Sequence, residues 1–211
     1  MVTARSTNIV IGGEAGQGLV TVGRLLSRIL VGEGYRIVVT QGYQSRIRGG
    51  HNTFEVRVSP DEIEAPAEEI DVLVALDDAT VAVHLAELSP GGLVIADEAF
   101  CDGDERCLRV PFKDLAPAAF RNVAALGVVC AALGLDEKPA ARIVDGAFGA
   151  KHPEMAEGNR NALAKAIAWC SGKESYFRRL PTASEGPRRI MLEGNEALAL
   201  GAVSAGLRFV S

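Results

Sequence analysis

No Cys-x-x-Cys pair occurs in this sequence. The four cysteines stand at positions 101, 107, 130 and 170, whereas zinc ribbons and bacterial-type iron–sulfur sites need closer clusters. They are expected to be reduced thiols, mostly buried, so any electron-carrying cluster has to belong to a partner. Histidine is scarce too: His51, His84 and His152 are scattered, which argues against a histidine-based metal site. A basic excess is missing: the net charge is −5 and the pI near 5.3, against a general nucleic-acid binder. No apolar run approaches the roughly 20 residues of a membrane span. The opening Met1-Val2-Thr3-Ala4-Arg5-Ser6-Thr7 leads into a short apolar run and then glycines, which is not the layout of a secretory signal. The chain is therefore read as cytoplasmic, with neither a nucleic acid nor a membrane as partner.

What the sequence has is glycine and an apolar interior. Glycine makes up 23 of 211 residues, about 11% against a usual value of about 7%. Apolar residues are 48% and the mean hydropathy is +0.15, enough for one sizeable domain or a domain plus a fragment. The glycines gather after apolar runs. The first and densest group is Gly12-Gly13-Glu14-Ala15-Gly16-Gln17-Gly18, directly after Asn8-Ile9-Val10-Ile11 and before the helical pattern Leu19–Leu30. Strand, tight loop and helix in that order bring backbone N–H groups and a helix start close to an anion. A second segment, Ser45-Arg46-Ile47-Arg48-Gly49-Gly50-His51-Asn52, adds two cations and two glycines. The two loops are expected to share one surface.

In chain order, Val22, Leu25, Leu26, Ile29 and Leu30 form an apolar helix face, which Gly32-Glu33-Gly34 stops. Arg36–Thr40 is a second strand, and the strand–helix–strand unit predicts parallel pairing with a right-handed crossover. Phe54–Val58 alternates apolar and charged, so it is antiparallel or near an edge. Asp71–Leu76 and Leu93–Asp97 are continuous apolar runs, hence buried strands, with a helix over Thr80–Leu88 between them and Ser89-Pro90-Gly91-Gly92 as its stop. Cys107–Val110 is a further strand. Helices follow over Asn122–Leu133, around Pro139 to Phe148, and over Asn159–Cys170. Ser171–Pro187 has two prolines and no period. From Arg189 the pattern restarts: Ile190-Met191-Leu192 as a strand, a glycine turn, a helix over Glu196–Ala205, and Leu207-Arg208-Phe209. The division is 1–170 as one α/β domain, 171–188 as a linker, and 189–211 as the start of a following, incomplete domain. The fold is a three-layer α/β/α with a mostly parallel, mixed, Rossmann-like sheet.

The glycine loop misses two nucleotide motifs. Gly13-x-x-Gly16-x-Gly18 is out of phase with G-x-G-x-x-G, and no carboxylate ends the second strand, where a ribose would need one. Gly13 and Gly18 have P-loop spacing, but Leu19-Val20 stand in place of Lys and Ser/Thr. The bland alternative is a tight turn that needs small residues. Arg46 and Arg48 suit a phosphate or carboxylate, which guanidinium groups clasp in bidentate fashion; their bland alternative is a solvated surface loop. Asp77-Asp78 are either an acid–base pair or, more in keeping with their place, a helix cap. No catalytic residue is assigned.

Taken in order, the glycine loop, the Ser45–Asn52 segment before Val56-Arg57-Val58-Ser59, the helix Arg121-Asn122-Val123-Ala124-Ala125-Leu126-Gly127 and the stretch Asn159–Ala166 resemble the γ subunit or γ domain of 2-oxoacid:ferredoxin oxidoreductases. Glu14-Ala15 departs from the family, which often has a further glycine there. Leu192-Glu193-Gly194-Asn195-Glu196-Ala197, with Ala199, Gly201-Ala202 and Gly206, resembles the opening of the α domain in fused γ–α subunits, and suggests a piece of a longer subunit. The resemblance implies oxidative decarboxylation of a 2-oxoacid to an acyl-coenzyme A. Thiamine diphosphate would lie between α and β domains, iron–sulfur clusters in other chains or domains, and ferredoxin would accept the electrons. It implies α and β subunits as partners and a γ domain that shapes the coenzyme A side. The candidate cofactor-binding residues are Gly12, Gly13, Gly16, Gln17, Gly18, Ser45, Arg46, Arg48, Gly49, Gly50, His51 and Asn52. The competing readings are a scaffold or docking module that binds no ligand, and a free-standing nucleotide-binding protein.

Overall fold

The computed structural model of the chain describes residues 6–43, 50–101, 103–148, 153–183 and 189–209. Its centre is a six-stranded sheet. The strands are β1 (Thr7–Glu14), β2 (Arg36–Gly42), β3 (His51–Ser59), β4 (Ile70–Ala75), β5 (Leu88–Asp97) and β6 (Cys107–Val110), in the order β2-β3-β1-β4-β5-β6. The helices are α1 (Leu19–Gly32), α2 (Asp78–His84), α3 (Phe112–Leu115), α4 (Arg121–Leu133), α5 (Glu137–Phe148), α6 (Pro153–Trp169) and α7 (Gly194–Ser204). The three-layer architecture with a largely parallel, mixed sheet is the expected one.

Alternation along the strands sorts side chains onto two faces. Ile9, Ile11, Phe54, Val56, Val72, Val74, Leu93 and Ile95 point to one face and pack with α1, α4, α5 and α6 into the main core. Val10, Leu73, Ala75, Val94 and Ala96 point to the other, where Val81 of α2 and Leu85 cover them. The main core is close-packed: a Cβ on Gly23 of α1 would fall 2.2 Å from the Phe54 ring. Asp71 ties the base of the sheet, its carboxylate accepting from the Asn8 backbone N–H and the Ser89 hydroxyl, both at 2.8 Å.

The expected pairing of β1 with β2 is corrected. The two run the same way, but β3 lies between them, antiparallel to both. A short polar connection after β2 lets the next strand fold back and take the ladder position beside β1. Ser89-Pro90-Gly91-Gly92 is not a stop but part of β5, whose pairing with β4 shifts between Ile70 and Val72. Ile190–Leu192 is not a strand, since no ladder reaches it. The cysteine reading changes in one respect. Cys101 and Cys107 form a disulfide, because the turn between them brings their Cα atoms to 6.3 Å, a span such a bond covers. Cys130 and Cys170 are free and buried as expected, and burial pushes their thiols up to about 12 and about 11.

Residues after α6 run back across the body. The Arg178 and Leu180 amides donate to the carbonyls of Ala132 and Leu133 at the end of α4, and the Tyr35 hydroxyl donates to the Pro181 carbonyl at 3.0 Å. Further on, Arg189 donates to the Gly34 carbonyl and Arg24 pairs with Glu193 at 2.7 Å. A capping box of Glu193 and Glu196 starts α7, none of whose residues is buried.

Candidate functional site at the sheet's switch point

Connections from β1 lead to β2 and β3 on one side of the sheet, and those from β4 lead to β5 and β6 on the other. The strand order therefore reverses between β1 and β4, and α/β sheets bind ligands in the crevice outside the carboxyl ends at such a point. Here the crevice is a cleft of about 400 Å³. Gly16, Gln17 and Gly18 form one wall, Leu76 and Asp97 the floor, Phe100 and Phe112 one side, and Arg121 and Asn122 at the start of α4 the other. A larger groove of about 670 Å³ runs between the β2 edge and Arg189–Asn195. It is the seam under the tail segment, and the glycine loop does not border it.

The glycine loop owes its shape to its glycines. Gly16 and Gly18 have φ of 97° and 86°, a region that side chains disfavour. Gly18 caps α1 without a side chain, so its helix start is left open to an acceptor. Gln17 turns inward: its carbonyl oxygen accepts from the Glu14 N–H at 2.9 Å. Only its amide nitrogen then remains as a donor toward a ligand. A Cβ on Gly18 would lie 2.6 Å from the Asn122 amide nitrogen, so α1 and α4 begin against each other.

The second candidate loop joins this edge through its last residues. His51 pairs with Glu14 and Asn52 with Gly13 in the β1–β3 ladder, which brings Gly50, His51 and Asn52 to the glycine loop. Ser45, Arg46, Ile47, Arg48 and Gly49 lie outside the described residues. Asp77 is a cap, its carboxylate accepting from the Thr80 N–H at 2.9 Å and the Thr80 hydroxyl at 2.7 Å. Asp78 accepts from Ala79 N–H, so the bland reading of this pair holds.

Sequence reasoning missed two groups. Arg121, Asn122, Asp97, Phe100 and Phe112 line the cleft but lie far from the glycines in the chain. Their signal was position, at a strand end or a helix start, and for Arg121 and Asn122 also the motif that resembles the family. The histidines taken as scattered are in part brought together: Nε2 of His51 lies 2.7 Å from Nε2 of His84, and Nδ1 of His84 lies 2.5 Å from a Glu87 carboxylate oxygen. Burial first, and His84 second, lower the pKa of His51, while Asp77 and Glu87 oppose them. Among the described residues no group of three or more His, Cys, Asp or Glu could hold a metal ion, and no helix is long and apolar enough to cross a membrane.

The family described as pyruvate ferredoxin/flavodoxin oxidoreductase matches residues 8–169. The chain belongs to this family. Among relatives of this chain, the 2-oxoglutarate synthase subunit KorC of Archaeoglobus fulgidus is 32% identical over 137 residues, which are 62% of this chain and 73% of that protein. The ketoisovalerate oxidoreductase subunit VorA of Methanothermobacter thermautotrophicus is 28% identical over 76% of this chain and 36% of its own length. A 2-oxoacid:ferredoxin oxidoreductase α subunit of Aeropyrum pernix is 27% identical over 65% of this chain but only 22% of itself. Among solved structures, the 2-oxoglutarate:ferredoxin oxidoreductase of Magnetococcus marinus shares the fold with a TM-score of 0.84 and 22% identity, over 97% of this chain and 38% of that one. A keto/oxoacid ferredoxin oxidoreductase γ subunit of Geobacter sulfurreducens matches with a TM-score of 0.65 and 22% identity, over 77% of this chain and 95% of its own. The chain thus covers 73% and 95% of two of these relatives and 22% to 38% of the three longer ones.

Proposed function

We propose that this chain is the γ portion of a thiamine-diphosphate-dependent 2-oxoacid:ferredoxin oxidoreductase, an enzyme that turns a 2-oxoacid and coenzyme A into an acyl-coenzyme A and passes electrons to ferredoxin. Residues 1–170 are its γ-type domain, 171–188 the linker, and 189–211 the start of a following α domain, as in fused γ–α subunits. The observation that carries the reading is the cleft at the switch point, in a chain of this family.

The γ domain contributes binding rather than bond-breaking groups. Backbone amides of Gly16 and Gly18, the open start of α1 and the Arg121 guanidinium offer donors to the phosphates of coenzyme A. Arg46 and Arg48, outside the described residues, are proposed as further partners of those phosphates. Thiamine diphosphate supplies the carbanion chemistry when bound, and belongs to the α and β domains. Iron–sulfur clusters belong to partners as well: the two free thiols are buried, and burial holds them protonated, which does not fit cluster ligation.

Calorimetric titration of the assembled complex with coenzyme A tests this. Arg121→Ala, Arg46→Ala and Arg48→Ala are each expected to weaken binding about tenfold or more, the loss of one charge-assisted pair. Unchanged affinity in all three would overturn the ligand role and leave the second reading, a docking module. That reading is favoured by the exposed apolar side chains of α7.

A further inference from the structure

We propose that the Cys101–Cys107 disulfide is a thiol-exchange site whose redox state sets how tightly the switch-point cleft holds its ligand. This rests on the reading of that cleft as a coenzyme A site and adds its regulation. The bond stands behind one wall of the cleft. Phe100, the residue before Cys101, lines the cleft together with Asp97. Phe100 also packs against the smaller core, to which both cysteines and Ala75 belong. Ala75 is itself part of the cleft lining. The covalent link and the ligand wall therefore share one packed cluster.

The two ends of the bond are held unequally. Cys107 opens β6 and pairs with Val94 in the ladder, and its N–H donates to the Asp104 carbonyl at 3.0 Å. Cys101 belongs to no strand or helix. Just before it, the Phe100 N–H donates to the Asp97 carbonyl at 2.9 Å and the Ala99 N–H to the Asp97 carboxylate at 3.1 Å. Reduction replaces the bond by two thiols, which need full van der Waals separation. Both cysteines are 3% exposed, and a close-packed cluster has no spare room for that separation. One segment must give way, and it is the one outside the ladder. Cys101 moves, Phe100 moves with it, and the cleft loses part of its aromatic side.

The exchange balances with an external dithiol as reductant. One of its thiolates attacks a sulfur of the bond, and the other sulfur leaves as a thiolate and takes a proton. The second thiol of the reductant then resolves the mixed disulfide. Two electrons and two protons pass to the protein, and the reductant becomes a disulfide. Buried sulfurs admit such a reagent only when the loop opens. That opening is local: Gly103 and Glu105 are exposed, the Arg106–Asp104 ion pair is internal to the loop, and β6 is a four-residue strand at the end of the sheet.

Alkylation of the folded wild-type chain in excess dithiothreitol, followed by mass spectrometry, gives the first reading. Cys101 and Cys107 should become labelled in native buffer, while Cys130 and Cys170, fully buried in the main core, stay unlabelled. No labelling, or labelling of all four together, overturns the exchange site. Hydrogen exchange reads the wall without any ligand. Reduction should speed exchange at the amides of Phe100, Arg106 and Cys107 about tenfold or more and leave β1 unchanged; unmoved rates at Phe100 overturn the coupling to the wall. For affinity, the assembled oxidoreductase is titrated with desulfo-coenzyme A, which carries no thiol to exchange with the bond. The oxidised complex should bind about three- to tenfold more tightly than the reduced one, the worth of one aromatic contact. The double variant Cys101→Ser, Cys107→Ser should bind like the reduced complex whatever the redox conditions, and Phe100→Ala should abolish the difference between the two states. Equal affinity of the two wild-type states overturns the regulation, and a difference that persists in Phe100→Ala overturns the route through that ring. An analogue that neither state binds would instead overturn the ligand reading, with alkylation and hydrogen exchange still deciding the exchange site.

Discussion

Two helices of this chain have nearly the same character and opposite fates. Both α4 (RNVAALGVVCAAL) and α7 (GNEALALGAVS) are apolar on most sides. Such a helix belongs inside a larger body. For α4 this holds: ten of its residues, Val123 to Leu133 except Ala131, are buried between the sheet, α1 and α6. For α7 it does not: Leu198 is 73% exposed, and Phe209 just beyond the helix 78%. Apolar surface of this size marks a contact site. Composition, then, tells what surroundings a helix is suited to, and only the coordinates tell whether this chain provides them.

Paired substitutions probe that contrast. The largest effect is expected at matched leucines. Leu126→Ala in α4 should lose about 2–5 kcal/mol, as core truncations do, while Leu198→Ala in α7 should stay within about 0.5 kcal/mol; urea denaturation of both measures it. Equal losses would mean that α7 is packed in solution. Next come two glycines where the sign itself should differ. A Cβ on Gly127 would lie 2.8 Å from the Leu163 carbonyl and 2.9 Å from Ala166, so Gly127→Ala should cost about 1–3 kcal/mol through overpacking. Gly201 has open space around it, and Gly201→Ala should gain up to about 1 kcal/mol from helix propensity.

A pH titration sharpens the contrast further. The lowered pKa of His51 means that the unfolded chain binds this proton more readily than the folded one. Its contribution to stability is therefore full above the ordinary value of about 6.5, and falls as pH drops below it toward the folded value. The slope is at most about 1.4 kcal/mol per pH unit for one proton. His51→Phe should flatten it, whereas removing residues 189–211 should leave it unchanged, since the group lies in the packed body. The smallest effect is expected at the tether: the Arg24–Glu193 pair is about half exposed on both sides, so Arg24→Ala should cost under about 1 kcal/mol and show chiefly as faster proteolysis of the tail.

What the sequence made legible follows the range of the interactions involved. Ile9–Ile11, Val72–Leu76 and Leu93–Ala96 read as buried strands because continuous β-branched and apolar runs need both faces covered. Gly16 and Gly18 read as a loop because local backbone geometry demands glycine. Strand order did not read, since β3 slots in beside β1 through a ladder between residues more than 35 positions apart, with no local signature. The candidate site divided the same way. Gly12–Gly18 and His51 were visible as motifs. Arg121, Asn122 and Phe112 were not assigned to the site, because what puts them there is the packing of α3 and α4 against the sheet. His84 and Glu87 were invisible for the same reason.

The abutment of Gly18 on Asn122 has a mechanical consequence. One helix start leans on the other with no room for even a methyl group between them, so a ligand that presses the glycine loop toward α4 must push the start of that helix. Helix α4 in turn bears on α6 through the bare backbone at Gly127. A push on the start of α4 would thus meet α6 directly, at the Leu163 carbonyl and Ala166.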